Sequence, residues 1–312
     1  MFEILNEYFD ELNKLSSDNN TVYSPVSTRS ALQLYKYLYN SSAFDYMLND
    51  KNYLSFENAN NAKFVNRIWA NTFFDVSVPN KLQQYTHFID MTNSHLATKT
   101  KDLFVAKETN NFIEKTGTLL SNELKYDLMN IVYFKDIWAK TYGYKLNFMP
   151  ITFTNIDGST KSVKNFVASS KDVLENESCY LVALNYKSGN KCWLVYPKTN
   201  INRVNFDNLT CKNVVASLYI PEFEIENNYQ LDKAFLPDGD IIAMDQVAKI
   251  KFDHTGTEAA AVTVIKMRPR SMPIKRPIIY SMVVDRPFLF LLKNDKLPIN
   301  NEMLFMSKIE KL

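Results

Sequence analysis

Asp253-His254-Thr255-Gly256-Thr257-Glu258-Ala259-Ala260-Ala261-Val262-Thr263 is the stretch whose reading decides the fold, and Arg268-Pro269-Arg270-Ser271-Met272-Pro273 follows shortly after it. The first half is small and β-branched, which suits a strand. No proline interrupts residues 254–267, so a strand there keeps its ladder hydrogen bonds. The second half is basic and proline-marked. Pro269, Pro273 and Pro277 each restrain themselves and the residue before them, which favours an extended backbone. A segment able to form a strand is therefore fused to one that reads as an exposed, cleavable loop.

The strand half divides cleanly by face, because side chains alternate across a sheet. One face carries Thr257, Ala259, Ala261, Thr263 and Ile265, all small or apolar and uncharged. The other carries Glu258, Ala260, Val262, Val264 and Lys266, with its charges at the two ends. A sheet can bury the first face at little cost. The basic half admits three readings: a basic patch for nucleic acid or a glycan, a solvated loop, or a protease recognition site. Trypsin-like proteases bind extended substrate and select Arg with an Asp in the specificity pocket. Extended backbone with Arg270 fits that pocket better than it fits an ordered patch.

Working outward, the 312 residues are 46% hydrophobic and 13% aromatic, ample for a packed core and inconsistent with a disordered chain. A net charge of +2 gives no long-range field directing the chain to nucleic acid or membrane. Six glycines leave no room for a phosphate-cradling loop, and no apolar run is long enough to span a bilayer. The start, with Phe2, Leu5, Phe9 and Leu12 at helical spacing, is acidic and amphipathic rather than a secretory leader. Cys179, Cys192 and Cys211 match neither a zinc site nor a redox pair and read as buried free thiols of a reducing compartment. Sequons at Asn19, Asn40, Asn176 and Asn208 matter only to a secreted chain and are read as chance in so Asn-rich a sequence.

The expected order is helices first and strands later. Residues 2–16 read as a helix, and Ser27 as the cap of a second helix after the Ser24-Pro25 break. Residues 41–61 read as a loop with at most a short helix. Residues 64–70 alternate as a strand. Residues 80–92 and 106–120 have helical spacing. Residues 127–134 are nearly all apolar, as in a strand buried on both faces. Strands follow at 178–184, 192–196, 214–225, 247–252 and 282–292. No repeat or linker divides the chain, which reads as one α+β domain over residues 1–312.

Enzyme chemistry finds little support. His87 and His95 stand eight apart without an acidic or cysteine ligand at metal spacing, and no Gly-X-Ser-X-Gly elbow occurs. A Ser/His/Asp set is recognised by geometry, not spacing. For His87, His95 and His254 the surface or satisfied-core reading outweighs a catalytic one, and no cofactor or metal is expected.

At this point the chain resembles the serpins over nearly its whole length. Gly256-Thr257-Glu258-Ala259-Ala260-Ala261 matches the hinge motif, which continues through Val262 and Thr263. Asp285-Arg286-Pro287-Phe288-Leu289-Phe290 matches the carboxy-terminal signature, and Tyr23-Ser24-Pro25-Val26-Ser27 the segment after the first helix. Asn130-Ile131-Val132-Tyr133-Phe134-Lys135-Asp136-Ile137-Trp138 matches the central strand and its tryptophan. The resemblance implies a large central mixed β-sheet, further sheets, surrounding helices and an exposed reactive-centre loop over about 254–277. It implies a suicide substrate: a protease cuts the loop, the loop inserts as an extra strand, and the acyl-enzyme is trapped.

Counting His254 as the first of seventeen residues, the resemblance puts the reactive bond at Arg270–Ser271, flanked by subsite contacts Met267, Arg268, Pro269 and Met272. The implied target is an Arg-specific trypsin-like serine protease: thrombin-like, plasmin, a plasminogen activator, trypsin or a granzyme A-like enzyme. Ser24, Ser27, Asn130, Trp138 and Gln246 match positions that control sheet opening.

Several departures are visible. His254 stands where the family usually has Glu, Gln246 where it has a histidine, and Asp136 and Ser307 where it has glycines. A Gln amide still donates and accepts, so the latch is expected to persist without pH sensitivity. The intervals Phe44–Phe64 and Leu231–Val247 are short where helices are usual. This trimming, with an Asn-, Lys- and Tyr-rich composition, looks like poxviral serpins. The expectation is a monomeric viral inhibitor modulating host proteolysis or inflammation. It would act in the host cytoplasm, or outside cells after release. The alternative is a non-inhibitory scaffold binding a viral or host partner protein.

Overall fold

The computed structural model describes residues 3–15, 20–55, 61–140, 150–230, 242–257, 279–293 and 303–312. Of the expected site, Glu258 to Thr263, Met267 to Pro269, Arg270, Ser271 and Met272 lie outside the described residues.

Four α-helices are described: α1 (Glu3–Leu15), α2 (Pro25–Tyr39), α3 (Asp45–Leu48) and α4 (Ser94–Glu108). The apolar stripe of α1 buries Leu5, Tyr8, Phe9 and Leu12 against Leu181, Val195, Leu289 and Leu291. A buried polar knot ties α1 to α2. Arg29 reaches Glu11 at 3.0 Å and Glu7 at 3.1 Å, and its guanidinium lies 4.5 Å from the Tyr8 ring centroid. Such a group is tolerable inside only because carboxylates and an aromatic face replace its water.

The central sheet is mixed. Its order is Thr86–Ile89, Ala62–Asn71, Tyr126–Phe134, Ile242–Asp253, Gly256–Thr257 and Asp136–Ile137, and Phe223–Gln230 also pairs with Ile242–Asp253. All nine residues of Tyr126–Phe134 are buried, which accounts for its unbroken apolar run. A second seven-stranded sheet runs from Thr21–Tyr23 through Met303–Ile309, Phe288–Lys293, Lys191–Pro197 and Cys179–Asn185 to Val173–Glu175 and Thr210–Lys212. A three-stranded sheet joins Ile279–Val283, Val215–Pro221 and Asn165–Ser170. Aromatic rings weld these layers. Phe252 stacks on Phe223 at 4.9 Å and meets Phe290 edge-on at 5.3 Å and Phe166 at 5.5 Å. Each such pair contributes about 0.5–1.5 kcal/mol beyond its buried area.

Several local expectations are corrected. Ser24, not Ser27, caps α2: its side chain accepts from the Ser27 N–H, and Pro25 takes the first turn, where a missing N–H costs nothing. The second helical span is displaced toward the amino terminus. Asn93 caps α4, and the helix ends at Glu108, after which Asn110 and Asn111 adopt left-handed backbone. Residues 80–92 form a 3-10 turn, Asn80–Tyr85, and the strand Thr86–Ile89. The run 214–225 is split at Glu222 into Val215–Pro221 and Phe223–Gln230, and 282–292 is split around Pro287 into Ile279–Val283 and Phe288–Lys293. Between Phe44 and Phe64 only α3 and the 3-10 turn Tyr53–Ser55 are helical among the described residues, as the short interval implies.

Asparagine explains how so few glycines suffice. Asn40 and Asn49 end α2 and α3 with φ of 50° and 47°, left-handed positions that glycine ordinarily fills and that Asn tolerates best among the other residues. Asn176 is built into a loop: its Nδ2 donates to the Asp207 carbonyl at 2.8 Å and the Asn205 carbonyl at 2.9 Å.

Candidate functional site

The site lies along the seam between Tyr126–Phe134 and Ile242–Asp253. These strands run parallel and pair only at their start, from Tyr126↔Ile242 to Met129↔Asp245. The next residues are Asn130 and Gln246, where the ladder ends. The Gln246 side chain turns inward and meets the amino end of α2, as does the Asn130 backbone carbonyl, while the Asn130 side chain reaches across to the strand Ala62–Asn71.

Gln246 Oε1 accepts from the Ser24 N–H at 2.9 Å, while its Nε2 donates to the Ser24 carbonyl at 2.9 Å and to Thr28 Oγ1 at 3.0 Å. Ser27 Oγ donates to the Asn130 carbonyl at 3.2 Å, and Asn130 Nδ2 donates to Asn66 Oδ1 at 2.8 Å. All four expected latch residues in this region are thus brought together, each at most 3% exposed. An amide performs the bridging, and it carries no titratable proton.

Above the latch the seam is filled from the hinge. The chain leaves Ile242–Asp253, reverses through a turn at His254–Thr255, and returns as Gly256–Thr257. This short strand is antiparallel to both neighbours, with Thr257 paired to Phe252 on one side and to Asp136 on the other. Its glycine is required by proximity: a Cβ on Gly256 would lie 2.1 Å from the Asp136 carbonyl oxygen. Two features hold the turn. Trp138 donates its backbone N–H to the Thr255 carbonyl at 3.2 Å and its indole Nε1–H to the Asp253 carbonyl at 3.0 Å. Glu222 Oε1 takes the His254 N–H at 3.3 Å and contacts its Nδ1 at 2.9 Å. His254, the hinge departure, therefore has an acidic partner at the start of the strand Phe223–Gln230.

The Thr257 side chain is 3% exposed, and its Oγ1 lies 2.6 Å from the Tyr186 hydroxyl. Tyr186 stacks on Trp138, with centroids 4.6 Å apart and planes 15° from parallel. Burial pushes the Tyr186 phenol well above its ordinary pKa, so it stays protonated. Its other side-chain partner is Cys192, whose thiol burial pushes up to about 12. Sequence reasoning missed Tyr186 and Glu222, because nothing in their neighbourhood of the chain marks them.

Other expectations resolve simply. Cys179 and Cys192 are buried, but Cys211 is exposed on the short strand Thr210–Lys212, contrary to the reading of all three as buried thiols. His87 packs edge-on against Trp69 at 5.0 Å, a structural role. No group of three or more His, Cys, Asp or Glu side chains suited to a metal occurs among the described residues. No described helix is long and apolar enough to cross a membrane.

The two central strands thus pair only at their start, a buried amide bridges one of them to α2, and the short strand Gly256–Thr257 continues the sheet beyond. Residues 39–245 match the family model described as Serpin (serine protease inhibitor), and the chain belongs to the serpin family. It is 24% identical over 254 residues to an alpha-1-antitrypsin homolog of Cyprinus carpio, a match covering 71% of this chain and 66% of the relative. It is 28% identical over 228 residues to the superinfection exclusion protein of Vaccinia virus (strain Western Reserve), covering 62% and 58%. These matches span somewhat less than two thirds of the relatives' own length. Among solved structures it resembles Serpin48 of the insect Tenebrio molitor, with a TM-score of 0.77 at 19% identity over 99% of this chain and 96% of that one. It also resembles the native state of the thermophilic serpin tengpin, with a TM-score of 0.78 at 18% identity over 97% and 92%.

Proposed function

We propose that the protein is a serine protease inhibitor that acts as a suicide substrate, cleaved at Arg270–Ser271 by an Arg-specific trypsin-like protease. One observation carries the reading: Gly256–Thr257 already lies hydrogen-bonded between Ile242–Asp253 and Asp136–Ile137. A loop cut beyond this point can continue along the same path. The faces of residues 257–265 are small and uncharged on the side that Thr257 turns inward. The likeness to a vaccinia superinfection exclusion protein supports a viral setting, and in this reading the inhibitor restrains host proteolysis, inside the host cell or after release from it.

The test is to mix the full chain with thrombin, trypsin, plasmin and urokinase and resolve the products on denaturing gels. A stable complex of inhibitor and protease is expected with at least one enzyme, abolished by Arg270→Ala. Cleaved inhibitor alone in every mixture overturns the proposal and favours a non-inhibitory scaffold.

A further inference from the structure

Thr257 is the first hinge side chain to enter the sheet, and it enters a prepared socket. The socket floor is the Tyr186 hydroxyl, 2.6 Å from Thr257 Oγ1. The Tyr186 ring cannot swing aside, because Trp138 stacks on one face and Phe134 closes on it edge-on at 5.2 Å. Trp138 is in turn held by the Asp253 carbonyl, on the strand from which the hinge departs. The hydroxyl's other side-chain partner is the fully buried Cys192 thiol. A thiol is a weak hydrogen-bond partner. With the hinge withdrawn, the Tyr186 hydroxyl would therefore lose the better of its two side-chain partners. A buried hydroxyl left short of partners is costly, so the empty socket is the less stable state.

We infer that Tyr186 is a positioning residue that holds the reactive loop docked at Thr257 before any cleavage, selecting a small hydroxyl side chain at that point. This deepens the inhibitory reading and rests on it for its consequence, but the docking itself is measurable on uncut protein. The seat fixes where the strand begins, hence the register in which the following residues would enter. It also shortens the part of the loop free to present Arg270. Valine at position 257 keeps the volume and loses the hydroxyl; phenylalanine at 186 keeps the ring stack and loses the hydroxyl.

The experiment is hydrogen exchange of the Gly256 and Thr257 amides in the uncut full chain. Tyr186→Phe and Thr257→Val are each expected to speed exchange there by about tenfold, the effect of losing one buried hydrogen bond. The double variant is expected to match the singles, since both remove the same contact. Exchange at the Leu181–Leu184 amides, on the strand that carries Tyr186, should not change; if it rises equally, Tyr186 is merely structural and the inference fails. Unchanged exchange at 256–257 in both variants, or additive effects in the double, also overturns it. A second arm separates this outcome from the inhibitory reading. If trypsin-cleaved wild-type protein gains no thermal stability while the exchange result holds, insertion after cleavage fails and the seat stands.

Discussion

Gln246 grips Ser24 by both backbone polar groups, accepting its N–H and donating to its carbonyl at 2.9 Å each, across 222 residues of chain. Ser24 is also the cap of α2, so one amide joins a helix end to the seam of the sheet. Gln246→Ala removes three buried hydrogen bonds and takes the acceptor from the Ser24 N–H, while the Ser24 carbonyl keeps the Thr28 N–H, a loss of about 1–3 kcal/mol. Thermal denaturation should show a melting temperature lower by several degrees. Native gels should show faster spontaneous conversion to an inserted form, because the latch opposes strand separation.

Gly256→Val introduces side-chain atoms where a Cβ alone would meet the Asp136 carbonyl oxygen at 2.1 Å. Backbone does not yield as a flexible side chain does, so overpacking of about 1–3 kcal/mol is expected. Proteolysis near residue 256, negligible in the wild type, should become detectable as the hinge leaves the sheet.

Thr257→Arg is expected to leave loop cleavage intact and abolish trapping, since an unpaired buried charge opposes insertion. Cleaved Thr257→Arg should show no rise in melting temperature over the uncut variant, whereas cleaved wild type should rise strongly. A stable complex formed by this variant would contradict the insertion argument.

Lys101 of α4 and Asp127 of the central strand form an ion pair at 2.5 Å with both side chains fully buried. Lys101→Met strands a carboxylate in the interior, at a cost of about 3–5 kcal/mol. The double variant Lys101→Met/Asp127→Leu should recover most of that loss, as urea denaturation midpoints would report.

Alkylation of the native protein should label Cys211 and spare Cys179 and Cys192. Burial raises the pKa of both protected thiols, Cys192 to about 12, so neither offers thiolate near neutral pH. Mass spectrometry of peptides after brief labelling distinguishes the three.

The carboxy-terminal signature and the buried central strand were legible because each is written in consecutive residues. Thr257 buries its side chain on the face read as small and uncharged, and all six residues of Phe288–Lys293 are buried, a strand enclosed on both faces. What escaped depends on distance along the chain. Tyr186 meets Thr257 from 71 residues away, and no local pattern announces the meeting. The helical spacing of residues 106–120 misled for a related reason. Ile113 and Leu120 are apolar because they pack beneath and beside α4 with Val105 and Ala97, not because they continue it. Ser27 reads as a cap from composition, yet its hydroxyl is spent on Asn130.

The turn at His254–Thr255 bears on the kinetics of any strand that later enters this sheet. Starting such a strand requires the chain to double back and the first rung to form, with few contacts to offset the lost freedom. Here the reversal is complete and the first rung is hydrogen-bonded on both sides. What remains is elongation, each new residue adding bonds as soon as it is fixed. Under the proposed mechanism its speed would be governed by how readily the seam parts ahead of the advancing end, which would place the rate at Gln246 and not at the loop.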